Sequence, residues 1–196
     1  MDKSALKIGI LGGSFDPVHI GHLAIAEQAR VEYALDRVLF VPARRSPLKQ
    51  ETVAGEQDRV AMLKLALAGN AGFKISAVEL DRGGPSYTYD TIVALRNDHP
   101  GASFFFIIGE DAFAEITAWR RAADLSGLAV FLVAPRSSQV PAEPPIQITW
   151  HPLSSAHIAV SSTMIRERIK NGGPVRYLVP DAVLNYIQRE RLYGTV

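Results

Sequence analysis

The sequence predicts an α/β fold built on a doubly wound, mostly parallel sheet, with a small helical part at its C-terminal end. Short apolar runs alternate with amphipathic ones along most of the 196 residues, the rhythm of strand–helix–strand units. The runs "SFFFIIG" and "GLAVFLVA" are almost continuously apolar, as strands covered on both faces should be. The unusual residue clusters fall just after predicted strands or just before predicted helices. In an open α/β sheet that is where ligands bind.

Taken in order, "LKIGILG" (Leu6–Gly12) reads as the first strand. "GHLAIAEQARVEYAL" (Gly21–Leu35) reads as a helix with Ala26, Ala29 and Tyr33 along one face. "DRVLFVP" (Asp36–Pro42) is a strand stopped by proline, and "EQDRVAMLKLALAG" (Glu56–Gly69) a helix closed by a glycine suited to the C-terminal cap. "FKISAVEL" (Phe73–Leu80) is predicted as a strand throughout, and "TYDTIVALRNDH" (Thr88–His99) as a helix ended by Pro100. The strands Ser103–Gly109 and Gly127–Ala134 follow. A proline-rich stretch, Ala134–Gln147, reads as a loop and not a linker, because apolar patterning resumes in "ITWHPL". Helices over Ser161–Gly172 and Pro180–Tyr193 complete the chain. Residues 1–196 are therefore expected to form a single domain, with residues 160–196 as its C-terminal helical part.

Composition narrows the class. Apolar residues at 47% and charged residues at 21% suit a globular protein with a sizeable core and argue against disorder. The net charge of +1 provides no global field to recruit nucleic acid or an anionic membrane. Neither is expected as a partner, so any anion must be held by local clusters. Without cysteine there is no disulfide, thiolate metal site or cysteine nucleophile. The N-terminal apolar run is too short for a signal peptide, and no run of about 18 apolar residues could span a membrane. A cytoplasmic protein is expected.

The densest cluster is "GGSFDPVHIGH", Gly12 to His22. Gly12 and Gly13 allow a tight turn and close approach to a ligand, but their spacing matches neither a dinucleotide fingerprint nor a P-loop. His19 and His22 lie at a helix entry, where unpaired backbone N–H groups and the macrodipole favour an anion. Phosphate binding, plain helix capping and metal binding are all open readings of these residues alone, the last lacking a third ligand. "VSSTMIR" repeats the theme: Ser161, Ser162 and Thr163 can cap a helix whose N–H groups face forward, and Arg166 can fork onto two phosphate oxygens. Taken alone, those residues fit an ordinary cap with a solvated arginine better; beside the histidine motif, the polyphosphate reading is preferred.

Together these stretches resemble a known family. "GGSFDPVHIGH" is similar to the G-x-F-D-P-x-H-x-G-H signature of nucleotidylyl transferases. "SYTYDT", "FIIGED", "AWRR" and "AVSSTMIRERI" resemble the remaining motifs of the bacterial nicotinate-nucleotide adenylyltransferases. The resemblance runs from about Lys7 to the C-terminal helices. It implies a Rossmann-like fold and transfer of the adenylyl group of ATP to nicotinic acid mononucleotide, giving deamido-NAD and pyrophosphate in NAD biosynthesis.

The resemblance also implies roles. His19, His22 and Arg166 become the catalytic residues. Gly12, Gly13, Ser14, Phe15, His19, His22, Gly109, Asp111, Ser161, Ser162 and Arg166 become the ATP site, with Asp111 near the ribose. Lys49, Thr88 and Trp119 become the nicotinate mononucleotide site, Trp119 stacking on the pyridine ring. No carboxylate cluster suggests a protein-held metal, and Mg²⁺ is expected to arrive on the ATP phosphates. One segment departs: the family's P-P-H-K or P-P-H-R run is here "SPLK", Ser46 to Lys49, with leucine in place of the histidine. Arg44 and Arg45 add positive charge beside it. Two rivals remain at this stage. A phosphopantetheine adenylyltransferase usually carries Thr at the first histidine position, and a nucleotide sensor without turnover would have no need of both histidines and Arg166.

Overall fold

In the computed structural model, residues 5–45, 52–136, 141–154 and 158–194 are described. Among them, six strands form one sheet in the order β3-β2-β1-β4-β5-β6: β1 (Lys7–Gly13), β2 (Arg37–Pro42), β3 (Phe73–Ile75), β4 (Ser103–Gly109), β5 (Val130–Ala134) and β6 (Trp150–Pro152). Every neighbouring pair is parallel, so the expected mostly parallel sheet is parallel throughout its described strands. The order reverses between β1 and β4, the switch point that opens a crevice at the carboxyl ends of these two strands.

Parallel strands force crossovers, and the crossover helices bury both faces of the sheet. Helices α1 (Ile20–Glu32) and α2 (Glu56–Leu67) cover one face. There Ala26, Ala29, Met62 and Leu63 pack with Phe15 and Phe40. Gly9 in β1 permits this fit, since a Cβ there would meet Leu35 Cδ1 at 2.9 Å. On the other face α4 (Thr88–Asp98) and α5 (Glu110–Ala114) lie over Ile8, Ile10, Phe104 and Phe131. The period-two alternation of β1 thus feeds two separate cores. Helices α6 (Ser162–Lys170) and α7 (Asp181–Arg189) join the first core through Ile165, Val183 and Ile187.

Three expected boundaries move. The predicted strand Phe73–Leu80 ends at Ile75, and Val78–Arg82 forms a short helix, α3. A strand would have turned Val78 and Leu80 to the core and Glu79 outward. The helix instead buries Glu79, whose Oε1 accepts a 2.6 Å hydrogen bond from the Thr91 hydroxyl of α4. β5 begins at Val130 because Ala122–Gly127 winds into a 3₁₀ turn. The last helix stops at Arg189, and Leu192–Gly194 forms a separate 3₁₀ turn with Tyr193 in the left-handed region at φ 61°.

Candidate functional site

The crevice is built first by the turn leaving β1. Gly13 accepts a hydrogen bond from the Ala43 N–H, 2.8 Å, which locks the turn to the end of β2. Phe15 is fully buried with φ 49°, so the turn is anchored by its own aromatic residue. His19 is the N-cap of α1 in extended conformation, and His22 is the third residue of the helix. The His22 Nδ1 accepts from the His19 backbone N–H at 3.3 Å. With Nδ1 acting as acceptor, a neutral His22 ring carries its proton on Nε2. The two imidazoles stack with centroids 3.7 Å apart, and Phe15 meets His22 edge-on at 5.0 Å. Both histidines are therefore fixed in orientation. Gly21 is needed between them, because a Cβ there would meet Val160 Cγ1 at 2.9 Å and His19 Nδ1 at 3.1 Å.

His19 is 6% exposed, and its Nδ1 has no hydrogen-bond partner among the described residues. Burial lowers its pKa to about 4, so the ring is neutral at pH 7. The sign of the linkage follows: a histidine whose pKa falls on folding binds fewer protons in the native state. Its stabilising contribution is present above about pH 6.5 and is lost as the pH falls from there toward 4, by up to about 3 kcal/mol. Glu79 works in the opposite sense. Burial, first of all, raises its carboxyl, and its contribution is lost as the pH rises. The His19 term is isolated by comparing the native chain with His19→Asn, an exchange that keeps a good N-cap. Denaturant midpoints between pH 4 and 7 should fall more steeply in the native chain. Parallel curves would mean that His19 titrates as in water.

The second wall comes from the chain's far end. Ser161 caps α6, accepting from the Met164 N–H at 3.1 Å. The Ser162 hydroxyl donates to the Pro17 carbonyl, 2.9 Å. Arg166 donates through Nη1 to the Asp16 carbonyl at 2.8 Å and through Nη2 to Thr163 Oγ1 at 3.3 Å. The first residue of α1, Ile20, donates its backbone N–H to the Leu178 carbonyl. Two helix N-termini, those of α1 and α6, thus meet at the turn that holds His19 and His22. Gly12, Gly13, Ser14, Phe15, His19, His22, Ser161, Ser162 and Arg166 are brought to one place.

Two further members of that cluster, Asp16 and Arg59, were not among the expected site residues, although Asp16 lies inside the first motif. Asp16 is 2% exposed and acts as an acceptor hub. Its Oδ2 takes the Val53 N–H at 2.8 Å, and its Oδ1 takes the Ala54 N–H at 3.1 Å and the Tyr193 hydroxyl at 2.7 Å. Arg59 of α2 is fully buried and donates through Nη1 to the Ser14 carbonyl at 2.7 Å. Burial pulls its guanidinium below the usual range, and Asp16 is the largest opposing influence. The usable signal for Arg59 is its place in "EQDRVAMLKLAL", three and four residues before the buried Met62 and Leu63 and hence on the same helix face.

Gly109 and Asp111 lie at the neighbouring strand end: the register that pairs Leu11 with Ile107 brings Gly13 and Gly109 to the same edge of the sheet. Asp111 forms an exposed ion pair with Arg136 across the β5 end. Thr88 and Trp119 belong to a separate wall. Thr88 is the first residue of α4. Arg120 ties the segment after Trp119 to that helix start, reaching Asp90 at 2.6 Å and lying 4.8 Å over the Tyr87 ring. Arg121 stacks on Tyr89 at 3.8 Å. Trp119 itself is half-buried, edge-on to Phe106 at 6.0 Å. Lys49, with Ser46, lies outside the described residues. Arg44 is anchored to the Leu80 carbonyl and to Ser86 Oγ. Among the described residues no group of three or more His, Asp or Glu side chains is placed to hold a metal ion, and no helix is long and apolar enough to cross a membrane.

Known proteins share this architecture. The model of the cytidylyltransferase-like family matches residues 10–168. The probable nicotinate-nucleotide adenylyltransferase of Herpetosiphon aurantiacus is 42% identical over 201 residues, spanning 95% of this chain and 98% of its own. The protein of the same description from Geobacillus kaustophilus is 44% identical over 192 residues, spanning 96% and 86%. Among solved structures, the Plasmodium falciparum nicotinic acid mononucleotide adenylyltransferase complexed with NaAD superimposes with a TM-score of 0.79 at 19% identity. It covers 97% of this chain and 98% of its own. That last likeness is one of fold.

Proposed function

The chain belongs to the cytidylyltransferase-like family and, within it, to the nicotinate-nucleotide adenylyltransferases, and from that premise we infer that it transfers the adenylyl group of ATP to nicotinic acid mononucleotide, releasing pyrophosphate and forming deamido-NAD for NAD biosynthesis. A phosphate oxygen of the mononucleotide attacks the α-phosphorus of ATP in line. A new P–O bond forms to that phosphorus, and the bond to the bridging oxygen of the β-phosphate breaks. No covalent enzyme intermediate is required, so positioning and charge stabilisation carry the catalysis.

One observation supports this reading above the others: the N-termini of α1 and α6 converge on the histidine turn with Arg166 docked beside them. Backbone N–H groups at two helix starts, the His22 Nε2–H and a guanidinium offer donors to a polyphosphate, and such preorganised donors are worth most where charge develops. In this reading His19, His22 and Arg166 act on the transferring phosphoryl group. Gly12, Gly13, Ser14, Phe15, Ser161 and Ser162 shape the polyphosphate cradle, while Gly109 and Asp111 border the ribose. Thr88, Trp119 and Lys49 serve the mononucleotide. Residues 1–196 work as one nucleotidylyltransferase unit in the cytoplasm, with residues 160–196 closing the ATP side.

A divalent cation belongs to this chemistry, and we read it as Mg²⁺. The carboxylate nearest the histidine turn, Asp16, has both oxygens engaged by donors. Those residues fit a cation that enters chelated by ATP and keeps much of its water. When bound with ATP, such a cation would withdraw charge from the phosphate oxygens. The assay is direct: purified protein, ATP, Mg²⁺ and either nicotinic acid mononucleotide or phosphopantetheine, with pyrophosphate and dinucleotide both measured. Dinucleotide is the expected product. Adenylylation of phosphopantetheine alone would overturn the assignment.

Acceptor choice tests the wall that carries Thr88 and Trp119. Nicotinate and nicotinamide rings offer Trp119 similar flat faces, so the tryptophan cannot separate them. The Trp119 backbone N–H is taken by the Ile116 carbonyl, and Thr88 at the start of α4 is the donor we set against the ring's substituent. Donors there suit a carboxylate, whereas an amide NH₂ would leave polar groups unpaired at about 1–3 kcal/mol each. The expected preference for nicotinate is about tenfold or more, narrowed by Thr88→Val; Trp119→Ala weakens both acceptors together. Equal kcat/KM for the two mononucleotides in the native chain would refute the carboxylate assignment.

A further inference from the structure

We propose that Tyr193, in the 3₁₀ turn after the last helix, is a positioning residue for adenylyl transfer: through Asp16 it sets the guanidinium of Arg166 at the phosphate cradle, an inference that rests on the function proposed above. The phenol hydroxyl donates to Asp16 Oδ1 at 2.7 Å, both groups being buried. Burial and that bond hold the phenol well above its ordinary pKa, so it stays a donor.

The Asp16 carboxylate is shared out among its neighbours. Oδ1 receives Tyr193 and the Ala54 N–H, while Oδ2 receives the Val53 N–H and stands 3.8 Å from Arg166 Nη1. That distance is long for a charge-assisted bond. The same Nη1 prefers the Asp16 backbone carbonyl at 2.8 Å. Arg166 is thus held beside Asp16 without collapsing onto its carboxylate, and keeps charge for a second anion. Without the Tyr193 hydroxyl, Oδ1 keeps one donor and the carboxylate is less neutralised. Arg166 then closes on it and withdraws from the polyphosphate.

The same 3₁₀ turn lies against α6 and α7, so Tyr193 also reports the seating of the whole helical end. A second tyrosine separates positioning from simple stapling. The Tyr186 hydroxyl donates to Asp58 Oδ1 at 3.0 Å, joining α7 to α2 without touching the histidine turn.

The experiment measures steady-state kinetics and denaturant stability for the native chain, Tyr193→Phe, Tyr186→Phe, Arg166→Lys and the Tyr193→Phe/Arg166→Lys double variant. Tyr193→Phe should lower kcat/KM for ATP by about tenfold, within the range of coupling between contacting residues. Its KM for the mononucleotide should stay within about twofold, as expected when the disturbed group is at the other substrate. Tyr186→Phe should lower stability and leave both constants unchanged. Once Arg166→Lys has removed the fork, the Tyr193→Phe effect should shrink to under about twofold, the signature of two residues acting as one unit. Independent, multiplicative losses overturn the proposal, as does a Tyr193→Phe chain that loses stability with native kinetics. A native chain that forms no dinucleotide would instead overturn the function it rests on.

Discussion

His22→Ala is expected to lower kcat by about 10²–10³-fold, the usual cost of one donor to a developing phosphate or oxyanion charge. The geometry keeps the accompanying loss of stability small. His22 accepts a long hydrogen bond from the His19 N–H, 3.3 Å, stacks on His19 and meets Phe15 edge-on. Losing a capping contact of that kind costs about 0.5–2 kcal/mol. Kinetics and unfolding curves on the same preparation distinguish the two roles. Near-native turnover with a lowered melting temperature would make His22 a capping residue and move the phosphate contact elsewhere. His22→Gln keeps an N–H donor on a side chain of similar reach and should recover part of the loss.

The largest effect on stability is expected from Asp16→Ala. Three donors point at this carboxylate, the Val53 and Ala54 N–H groups and the Tyr193 hydroxyl, and the neighbouring guanidinium of Arg59 is fully buried. Removing the acceptor leaves those donors without a partner and strips Arg59 of its main compensating charge. Breaking a buried charge network from one side costs about 3–5 kcal/mol. That is a large share of the roughly 5–15 kcal/mol that separates a folded domain from its unfolded chain. Asp16→Asn keeps one oxygen acceptor but points an NH₂ at donors, so it should fall between the two. Urea denaturation reads the difference, and a midpoint within about 0.5 kcal/mol of native for Asp16→Ala would remove Asp16 from the role of hub.

Much of the sheet was legible because its signals are local. A parallel strand buried on both faces reads as a continuous apolar run, and β4 spans Ser103–Gly109 as the run predicts. The misread segment, Phe73–Leu80, is instructive. Its Val78 and Leu80 suit a strand by composition, and the deciding contact, Glu79 to Thr91, lies twelve residues away in α4. In the site, the histidines and the Ser161–Arg166 stretch were legible as local motifs. Asp16 stood in plain view inside "SFDPVH", but nothing local marks it as an acceptor hub. Its donors at Val53, Ala54 and Tyr193 come from loops and turns that no periodicity links to it. Arg59 was legible in principle, as a charge on the apolar face of its helix. Tyr193 was not, since the terminal turn that presents it reads as a continuation of the last helix.

The wall made by Ser162, Arg166 and Tyr193 has a consequence for how the molecule is made. Its bonds to the β1 turn cross 145, 150 and 177 residues of chain. Synthesis at about 5–20 residues per second puts very roughly 10 to 35 seconds between the emergence of Asp16 and that of Tyr193. During that interval the strand-and-helix units can assemble in order behind the ribosome, with β4 returning to pair with β1. The histidine turn must wait for Tyr193, 177 residues further on, before the Asp16 carboxylate has its Val53, Ala54 and Tyr193 donors together. Under the proposed function, the grip on a triphosphate is therefore acquired late in folding.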